Sequence, residues 1–320
     1  MGRYILRRLA QIPPVILGLL VLNFVLIHVA PGDPLYFLVG EGGDEAYYAA
    51  MRARLGLDRP LPEQLVHYLA GALTGDLGRS FRYNEPVISL ILGRMPATLL
   101  LTGTAIVAAT GLGVWLGTLA GARPEGLLDR LANGAASVLA AVPGFWLGQL
   151  LVLALAGWLG LFPVQGMVSP RLTSGGLALV FDVAHHLVLP ASTLTLLQTA
   201  LIFRLTRQSV REVLVEEFIR TARAKGLPPG LVLYRHTLRN SLLPVVTVVG
   251  GHVGTLLAGA AVVEVVFAWP GLGRLLYDGI LTRDYPVVMG IFLVISMTTV
   301  LANLLTDLAY AYLDPRVRYA

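Results

Sequence analysis

Residues 97–121 read ATLLLTGTAIVAATGLGVWLGTLAG, with no Asp, Glu, Lys or Arg. A helix of about 20 apolar residues crosses the roughly 30 Å hydrocarbon core of a bilayer. The rest of the chain has the same character, because 56% of its 320 residues are hydrophobic and only 13% are charged, whereas a soluble domain is about 25% charged. The stretch therefore predicts one transmembrane helix of an all-α, polytopic membrane protein whose solvent is the lipid bilayer.

Six segments share this length and this absence of charge, which predicts six transmembrane helices. They are residues 9–30, 97–121, 132–162, 183–203, 241–263 and 286–306. The third segment is long enough to tilt in the bilayer or to break at Pro143-Gly144. The first follows Arg7-Arg8 and could be a cleaved signal peptide, but it runs into Pro31 without a small-x-small cleavage site, so we predict a retained helix.

Basic residues are concentrated in alternate connecting segments, which sets the orientation by the positive-inside rule. With a cytoplasmic N-terminus, the inside segments hold 15 of the 24 Lys and Arg residues and the outside segments hold 9. The loop 31–96 holds 6 of those 9 and is too long for the rule to apply, and without it the comparison is 15 against 3. The sequence predicts that both termini are cytoplasmic.

Small residues recur at every fourth position in two of the segments, where helices can approach closely in lipid. The second segment carries Ala105, Ala109, Gly113, Gly117 and Gly121, and the fifth carries Gly250, Gly254 and Ala258 beside Gly251, Thr255 and Gly259. We predict that both faces pack against another helix, either in this chain or in a second subunit.

Polar residues inside or at the edge of the apolar segments are few, and an ionisable one there is a functional candidate. If the helices enclose a path for a solute, the candidates to line it are His252, Glu264 and Asn303. A neutral His252 that is satisfied by a neighbouring helix is the alternative interpretation of that residue.

The longest connecting loop, residues 31–96, is predicted to form a small extracytoplasmic cap. It contains two helix-like stretches, near 44–56 and 62–73, and then a turn at 75–80. By topology the chain divides into the cytoplasmic N-terminus with the first helix (1–30), the cap loop (31–96), a five-helix transmembrane core (97–312) and a cytoplasmic tail (313–320).

The cytoplasmic loop within that core, residues 204–243, is amphipathic. Residues 204–227 are predicted to continue the fourth transmembrane helix, and Pro228-Pro229-Gly230 to break it. The predicted apolar stripe is Val210, Val213, Leu214, Phe218 and Ala222. Such a segment can pass a push from a soluble partner into the membrane helices, or it can rest on anionic lipid headgroups, and the pattern alone leaves both open.

Part of this loop resembles a known family. Residues 218–244 read FIRTARAKGLPPGLVLYRHTLRNSLLP, which is similar to the cytoplasmic loop of ABC importer permeases of the dipeptide/oligopeptide/nickel group. The general form of that loop begins Glu-Ala-Ala and has a glycine six positions after the Glu. Here Arg220-Thr221-Ala222 occupy the first three places and Gly226 keeps the glycine. Further agreement comes from APGDP at 30–34, GDLGRS at 75–80, RMPATLLLT at 94–102, VPGFWLG at 142–148, FAWPGLG at 267–273 and LDPRVRY at 313–319.

The resemblance covers nearly the whole chain, is to the first permease of the pair in such systems, and implies a type I ABC importer permease architecture. It implies ATPase coupling through Arg220, Thr221, Ala222, Arg223, Ala224, Lys225, Gly226, Arg235 and His236, with Pro228, Pro229 and Gly230 in the turn. It also implies a second permease subunit, two ATP-binding subunits that hold ATP and Mg²⁺, and an extracytoplasmic solute-binding protein. The chain itself is expected to bind no cofactor, metal or nucleic acid, and to lie in a bacterial or archaeal cytoplasmic membrane.

Several enzyme classes lack support in the sequence. The chain has no cysteine, no H-E-x-x-H and no G-x-S-x-G, and its one lysine, Lys225, lies outside any G-x-x-x-x-G-K-[ST] loop. A secondary transporter or channel is the main alternative, but the sequence shows no inverted repeat. The resemblance therefore implies a non-enzymatic permease subunit of an ATP-driven importer, which forms the path for di- or oligopeptides or similar small solutes.

Overall fold

The computed structural model describes residues 2–29, 45–170, 175–251 and 253–313 of the chain. Most of this part is helical, and it contains no β-strand beyond an isolated bridge between Arg79 and Pro86. The prediction of an all-α protein is confirmed.

The described part contains thirteen α-helices in chain order. They are α1 (Gly2–Val29), α2 (Glu45–Leu55), α3 (Leu61–Thr74), α4 (Val87–Ala122), α5 (Leu127–Ala141), α6 (Gly144–Leu151), α7 (Leu177–Leu214), α8 (Glu217–Ala224), α9 (Pro229–Leu231), α10 (Arg239–Gly251), α11 (Val253–Val266), α12 (Leu272–Leu281) and α13 (Tyr285–Leu313). Helices α6 and α9 continue as π-helices over Val152–Trp158 and Val232–Leu238.

Three of these helices are long and apolar enough to cross a bilayer, namely α4, α7 and the Tyr285–Thr306 part of α13. The pair α5–α6 is a fourth candidate, and its two parts are bent by 109° at the break between them. The break lies at Val142-Pro143, where Val142 leaves the helical conformation with ψ 128°. Proline disfavours the helical conformation in the residue before it, which explains the position of the break. Of the two predicted possibilities, a tilted helix or a break at Pro143-Gly144, the structure has the break.

The other two predicted spans correspond to shorter apolar helices. The apolar part of α1 is Ala10–Leu26. The fifth predicted span falls on α10 and α11, which are separated by His252, a residue outside the described ones. The helices fit a polytopic membrane protein, while the count of six spans and the cytoplasmic position of both termini stay predictions.

The chain packs as two compact units. Unit 1 comprises residues 1–98 and 270–301, and unit 2 comprises residues 99–269 and 302–320. These boundaries reflect packing, whereas the division predicted from the sequence reflects position relative to a membrane and stays a prediction.

In unit 1, helices α12 and α13 pack against the start of α4. The buried residues of this core are Val87, Ile91, Leu272, Leu275, Val287 and Ile291. The two helix-like stretches predicted in the cap loop are present as α2 and α3. The turn predicted after them contains Gly75 and Gly78, whose φ angles of 79° and 75° suit glycine.

A buried carboxylate fastens part of the cap loop to the start of α13. Asp284, which is 1% exposed, accepts hydrogen bonds from Ser80 Oγ (2.5 Å) and from the backbone N–H groups of Phe81 (3.1 Å) and Arg82 (3.2 Å). These three hydrogen bonds tie residues 80–82 to the residue that precedes α13.

Replacing Asp284 with alanine is expected to destabilise the protein by about 3 kcal/mol, because each buried donor left without an acceptor costs about 1–3 kcal/mol. Thermal unfolding of the purified chain in detergent measures the effect. Asp58→Ala is the control, since Asp58 is an exposed residue of the same unit. Equal unfolding midpoints for the two variants would show that the buried carboxylate is not needed.

In unit 2, the small-residue face of α4 packs against α7. A Cβ atom added at Gly113 would lie 2.7 Å from the Ile202 side chain, and one added at Gly117 would lie 2.7 Å from the Thr206 side chain. Cβ atoms essentially never approach other atoms this closely, so only glycine permits the observed helix separation. The predicted packing face is confirmed, and its partner is in the same chain.

The second small-residue face is confirmed at one position. A Cβ atom at Gly250 would contact Thr306 of α13, whereas nothing lies within 4 Å of a Cβ atom at Gly251. The other members of this face, Gly254, Thr255, Ala258 and Gly259, lie outside the described side chains.

Gly117→Ala is expected to destabilise unit 2 by about 1–3 kcal/mol, the usual cost of forcing an extra carbon into a packed interface. Gly111→Ala on the same helix is the matched control, because a Cβ atom there meets nothing within 4 Å and alanine favours helix over glycine. Thermal unfolding of both variants checks the prediction. It fails if Gly117→Ala unfolds no earlier than Gly111→Ala.

Candidate functional site

The loop that the sequence predicts to be cytoplasmic forms a helical hairpin, which we define as residues 215–238. Its first helix, α8, does not continue α7 as predicted, since α7 ends at Leu214 and Glu216 is extended at ψ 149°. Glu216 and Glu217 then lie at the N-terminus of α8, where the helix dipole favours negative charge. The prediction of one helix over 204–227 is therefore wrong at this break.

The break changes which residues of α8 face inward. Ile219 and Ala222 are buried, whereas Phe218, a predicted member of the apolar stripe, is 45% exposed. Ile219 and Ala222 pack with Val232 of the π-helix, and Val213, Leu214 and Leu227 cover this small core. Because Val213 and Leu214 belong to α7, the hairpin core is continuous with the end of that long helix.

Gly226 closes α8 with a Schellman turn. Its φ is +73°, its N–H donates to Arg223 O (2.9 Å), and the N–H of Leu227 donates to Ala222 O (3.4 Å). This pair of bonds and the contact of Leu227 with Ala222 define the motif. The left-handed conformation at its centre favours glycine, which explains the glycine that the sequence keeps.

The predicted turn residues Pro228, Pro229 and Gly230 lie just after the Schellman turn, at the start of α9. Pro228 is extended at ψ 143° and Pro229 is the first residue of α9, a position where the missing proline N–H costs nothing. Gly230 lies within α9, without a positive φ and with open space around its Cβ position. The turn is thus made by Gly226 and Pro228, and Gly230 is a helical residue.

Most of the predicted coupling residues form one exposed, basic surface. Arg220, Thr221, Arg223, Ala224, Lys225, Gly226 and Arg235 are exposed, His236 is half-buried and Ala222 is buried in the hairpin core. No ion pair to Arg220, Arg223, Lys225 or Arg235 occurs among the described residues. We name the seven exposed residues the basic face of the hairpin. Since Ala222 points inward, its part in this site is to hold the hairpin together.

The π-helix connects the hairpin to α10. Thr237 is fully buried, and its hydroxyl donates to Val232 O (3.1 Å), while the Ser241 hydroxyl of α10 donates to Thr237 O (2.9 Å). These bonds and the hairpin core fix the hairpin between α7 and α10. The site can therefore transmit a force on its basic face to two long helical segments.

The three residues proposed for a solute path lie in different environments. Glu264 of α11 is fully buried, and Asn303 of α13 is exposed. His252 lies outside the described residues. Their role stays a prediction.

Sequence reasoning missed an ion pair between α5 and α7. Arg207 donates from Nη2 to Asp129 Oδ2 (2.8 Å) and from Nε to Asp129 Oδ1, and the backbone N–H of Glu125 donates to Asp129 Oδ2 (2.9 Å). The Asp129 carboxylate thus accepts three hydrogen bonds, two of them from one guanidinium. Asp129 and Arg207 are 78 positions apart in the sequence, so no local sequence pattern predicts that they form a pair.

Comparison with known proteins now identifies the family. Residues 113–319 match the family described as binding-protein-dependent transport system inner membrane component. The chain belongs to this family. Residues 1–102 match the corresponding N-terminal family of the same transport-system membrane components.

Relatives cover the full length of this permease. It is 41% identical over 337 residues to the dipeptide transport system permease protein DppB of Escherichia coli strain K12, covering 100% of this chain and 99% of that one. It is 37% identical over 320 residues to the oligopeptide transport system permease protein AppB of Bacillus subtilis strain 168, with 100% of both chains covered.

Solved structures agree with the fold of the permease. An inward-facing MetNI methionine ABC transporter matches with a TM-score of 0.57 at 20% identity, over 72% of this chain and 99% of that chain. An amino acid ABC transporter matches with a TM-score of 0.53 at 15% identity, over 70% of this chain and 94% of that chain. The chain is an ABC importer permease with several transmembrane helices, and a secondary transporter or channel is disfavoured.

Proposed function

We propose that this permease forms part of the solute path of an ATP-driven importer and receives the driving force through the basic face of its hairpin. The observation that carries the proposal is the combination of an exposed basic face and an apolar core continuous with α7. Charges without ion-pair partners among the described residues are available to an acidic partner surface. A rigid connection behind them lets that partner move the membrane helices.

The full machine that we propose contains a second permease subunit, two ATP-binding subunits and an extracytoplasmic solute-binding protein. ATP and Mg²⁺ belong to the ATP-binding subunits, since this chain has no G-x-x-x-x-G-K-[ST] loop. Closure of those subunits would pull on the hairpin, shift α7 and α10, and open the path toward the solute-binding protein. The setting is a bacterial or archaeal cytoplasmic membrane, with six spans and both termini inside.

The solute class that we propose is di- or oligopeptides. Support comes from the relatives, whose names state dipeptide and oligopeptide transport. Uptake of a radiolabelled dipeptide into proteoliposomes that hold the complete complex, with ATP inside and binding protein outside, tests this class. Competition by dipeptides and by longer peptides separates the two sizes, and uptake of neither would contradict the proposed class.

Affinity purification of this chain in detergent from its native membrane tests the proposed assembly. We expect a second polytopic permease and nucleotide-binding subunits to co-purify. A preparation of this chain alone that transports solute in liposomes without ATP would overturn the proposal and support a secondary transporter.

A further inference from the structure

Helices α4, α5 and α7 form one packed body within unit 2. Their shared core consists of Ala120, Ala136, Ala200 and Phe203. At the end of α4, a Cβ atom at Gly121 would lie 2.8 Å from Arg207 O and 2.9 Å from the Val210 side chain. Small residues thus bring the backbones of α4 and α7 together close to Arg207.

The Arg207–Asp129 pair adds a charged connection to this body. Asp129 is 3% exposed, and each of its two carboxylate oxygens accepts a hydrogen bond from the Arg207 guanidinium. The pair joins two different helices, α5 and α7. A bidentate pair fixes orientation as well as distance, so it adds a directional contact to the apolar packing of α5 against α7.

The position of the pair relates it to the hairpin. Arg207 lies on α7 seven residues before Leu214, the residue at which that helix ends against the hairpin core. Asp129 lies in the first turn of α5. Through α5 it connects to the break at Pro143, beyond which α6 runs at 109° to α5. If the ion pair transmits the movement of α7 to α5, the hairpin can move α5 without touching it.

We propose that the Arg207–Asp129 ion pair makes α5 move together with α7, so that a movement of the hairpin reaches the bent α5–α6 pair. The inference rests on the proposed function, because it assigns the route by which ATP-driven movement spreads through this subunit. Arg207 and Asp129 are positioning residues, since they act through the helices and touch no solute or nucleotide.

The test measures uptake of a radiolabelled dipeptide mixture and ATP hydrolysis by the complete complex in proteoliposomes. Asp129→Asn and Arg207→Gln are expected to lower the number of peptides transported per ATP by at least tenfold, while hydrolysis continues. Arg204→Gln is the matched control. Arg204 on α7 also bonds to α5, through Ser137 Oγ at 3.0 Å, but it is exposed and the bond is to a neutral group.

Cysteine crosslinking separates coupling from stability, because the chain has no cysteine of its own. An Asp129→Cys/Arg207→Cys double variant should lose coupling and regain it when a short bifunctional thiol reagent bridges the two sites. If that variant fails to assemble, Ser137→Cys/Arg204→Cys answers the same question at exposed positions. Its bridging should leave transport unchanged if α5 and α7 move as one.

Two results would overturn the inference. One is normal peptide transport per ATP in Asp129→Asn and Arg207→Gln, and the other is loss of transport on bridging residues 137 and 204. Both require that the unmodified complex transports peptides with ATP. An unmodified complex that lacks ATP-dependent transport would instead contradict the proposed function, so the two failures are distinguishable.

Discussion

Gly226→Val is expected to abolish solute-stimulated ATP hydrolysis and to lower ATP-dependent uptake by at least tenfold. Gly226 has φ +73° in the Schellman turn that ends α8. A residue with a Cβ atom pays roughly 1–2 kcal/mol in that conformation, and a β-branched side chain is least tolerated there. The turn would therefore open, and the basic face would lose its fixed position relative to the hairpin core.

Two substitutions check that explanation. Gly226→Asn is expected to keep most of the activity, since asparagine tolerates the left-handed conformation. Gly230→Ala, four residues away, should be silent, because Gly230 is helical and its Cβ position is open. Retained solute-stimulated hydrolysis in Gly226→Val would show that the conformation of this turn does not matter for coupling.

Arg220→Glu/Arg223→Glu is expected to prevent stable association with the ATP-binding subunits and to reduce uptake by at least tenfold. Both side chains are exposed, and neither has an ion-pair partner among the described residues. Placing the two introduced glutamates against an acidic surface of the ATP-binding subunits costs several kcal/mol, because like charges then face each other. Co-purification of the nucleotide-binding subunits and the uptake rate measure the two effects.

Arg123→Glu is the control for this change of charge. Arg123 is an exposed residue of the segment between α4 and α5, outside the hairpin. Its reversal should leave assembly and uptake close to those of the unmodified complex. Equal losses in both variants would mean that net charge, and not the basic face, governs association.

The sequence predicts the helices of this protein well wherever composition decides the structure. An uncharged apolar stretch such as 97–121 has no alternative to a helix in lipid, and the structure has α4 there. The break at Pro143 is equally local, because the proline ring acts on the residue before it. The residues of the hairpin were found through their resemblance to a family, not through periodicity.

Features that depend on tertiary contacts were not predictable in this way. Residues 215–216 contain neither proline nor glycine, so the local sequence does not predict the end of α7 at that point. After the break, Ile219 packs against Leu214 and Val232. Burial of the Ile219 side chain determines which face of α8 points inward. The same holds for Asp129 and Arg207, whose partnership follows from how α5 and α7 pack.

Photo-crosslinking from the basic face shows whether the hairpin contacts a nucleotide-binding subunit. A single cysteine at Arg223, carrying a short photoreactive probe, reports what contacts the hairpin in native membranes, and one at Leu177, which is 77% exposed at the start of α7, serves as the control. We predict that the Arg223→Cys probe forms an adduct with a nucleotide-binding subunit and that the Leu177→Cys probe does not. Adducts of the Arg223→Cys probe with lipid alone, in a complex that still transports, would contradict coupling through the basic face and indicate that the hairpin rests on the membrane surface.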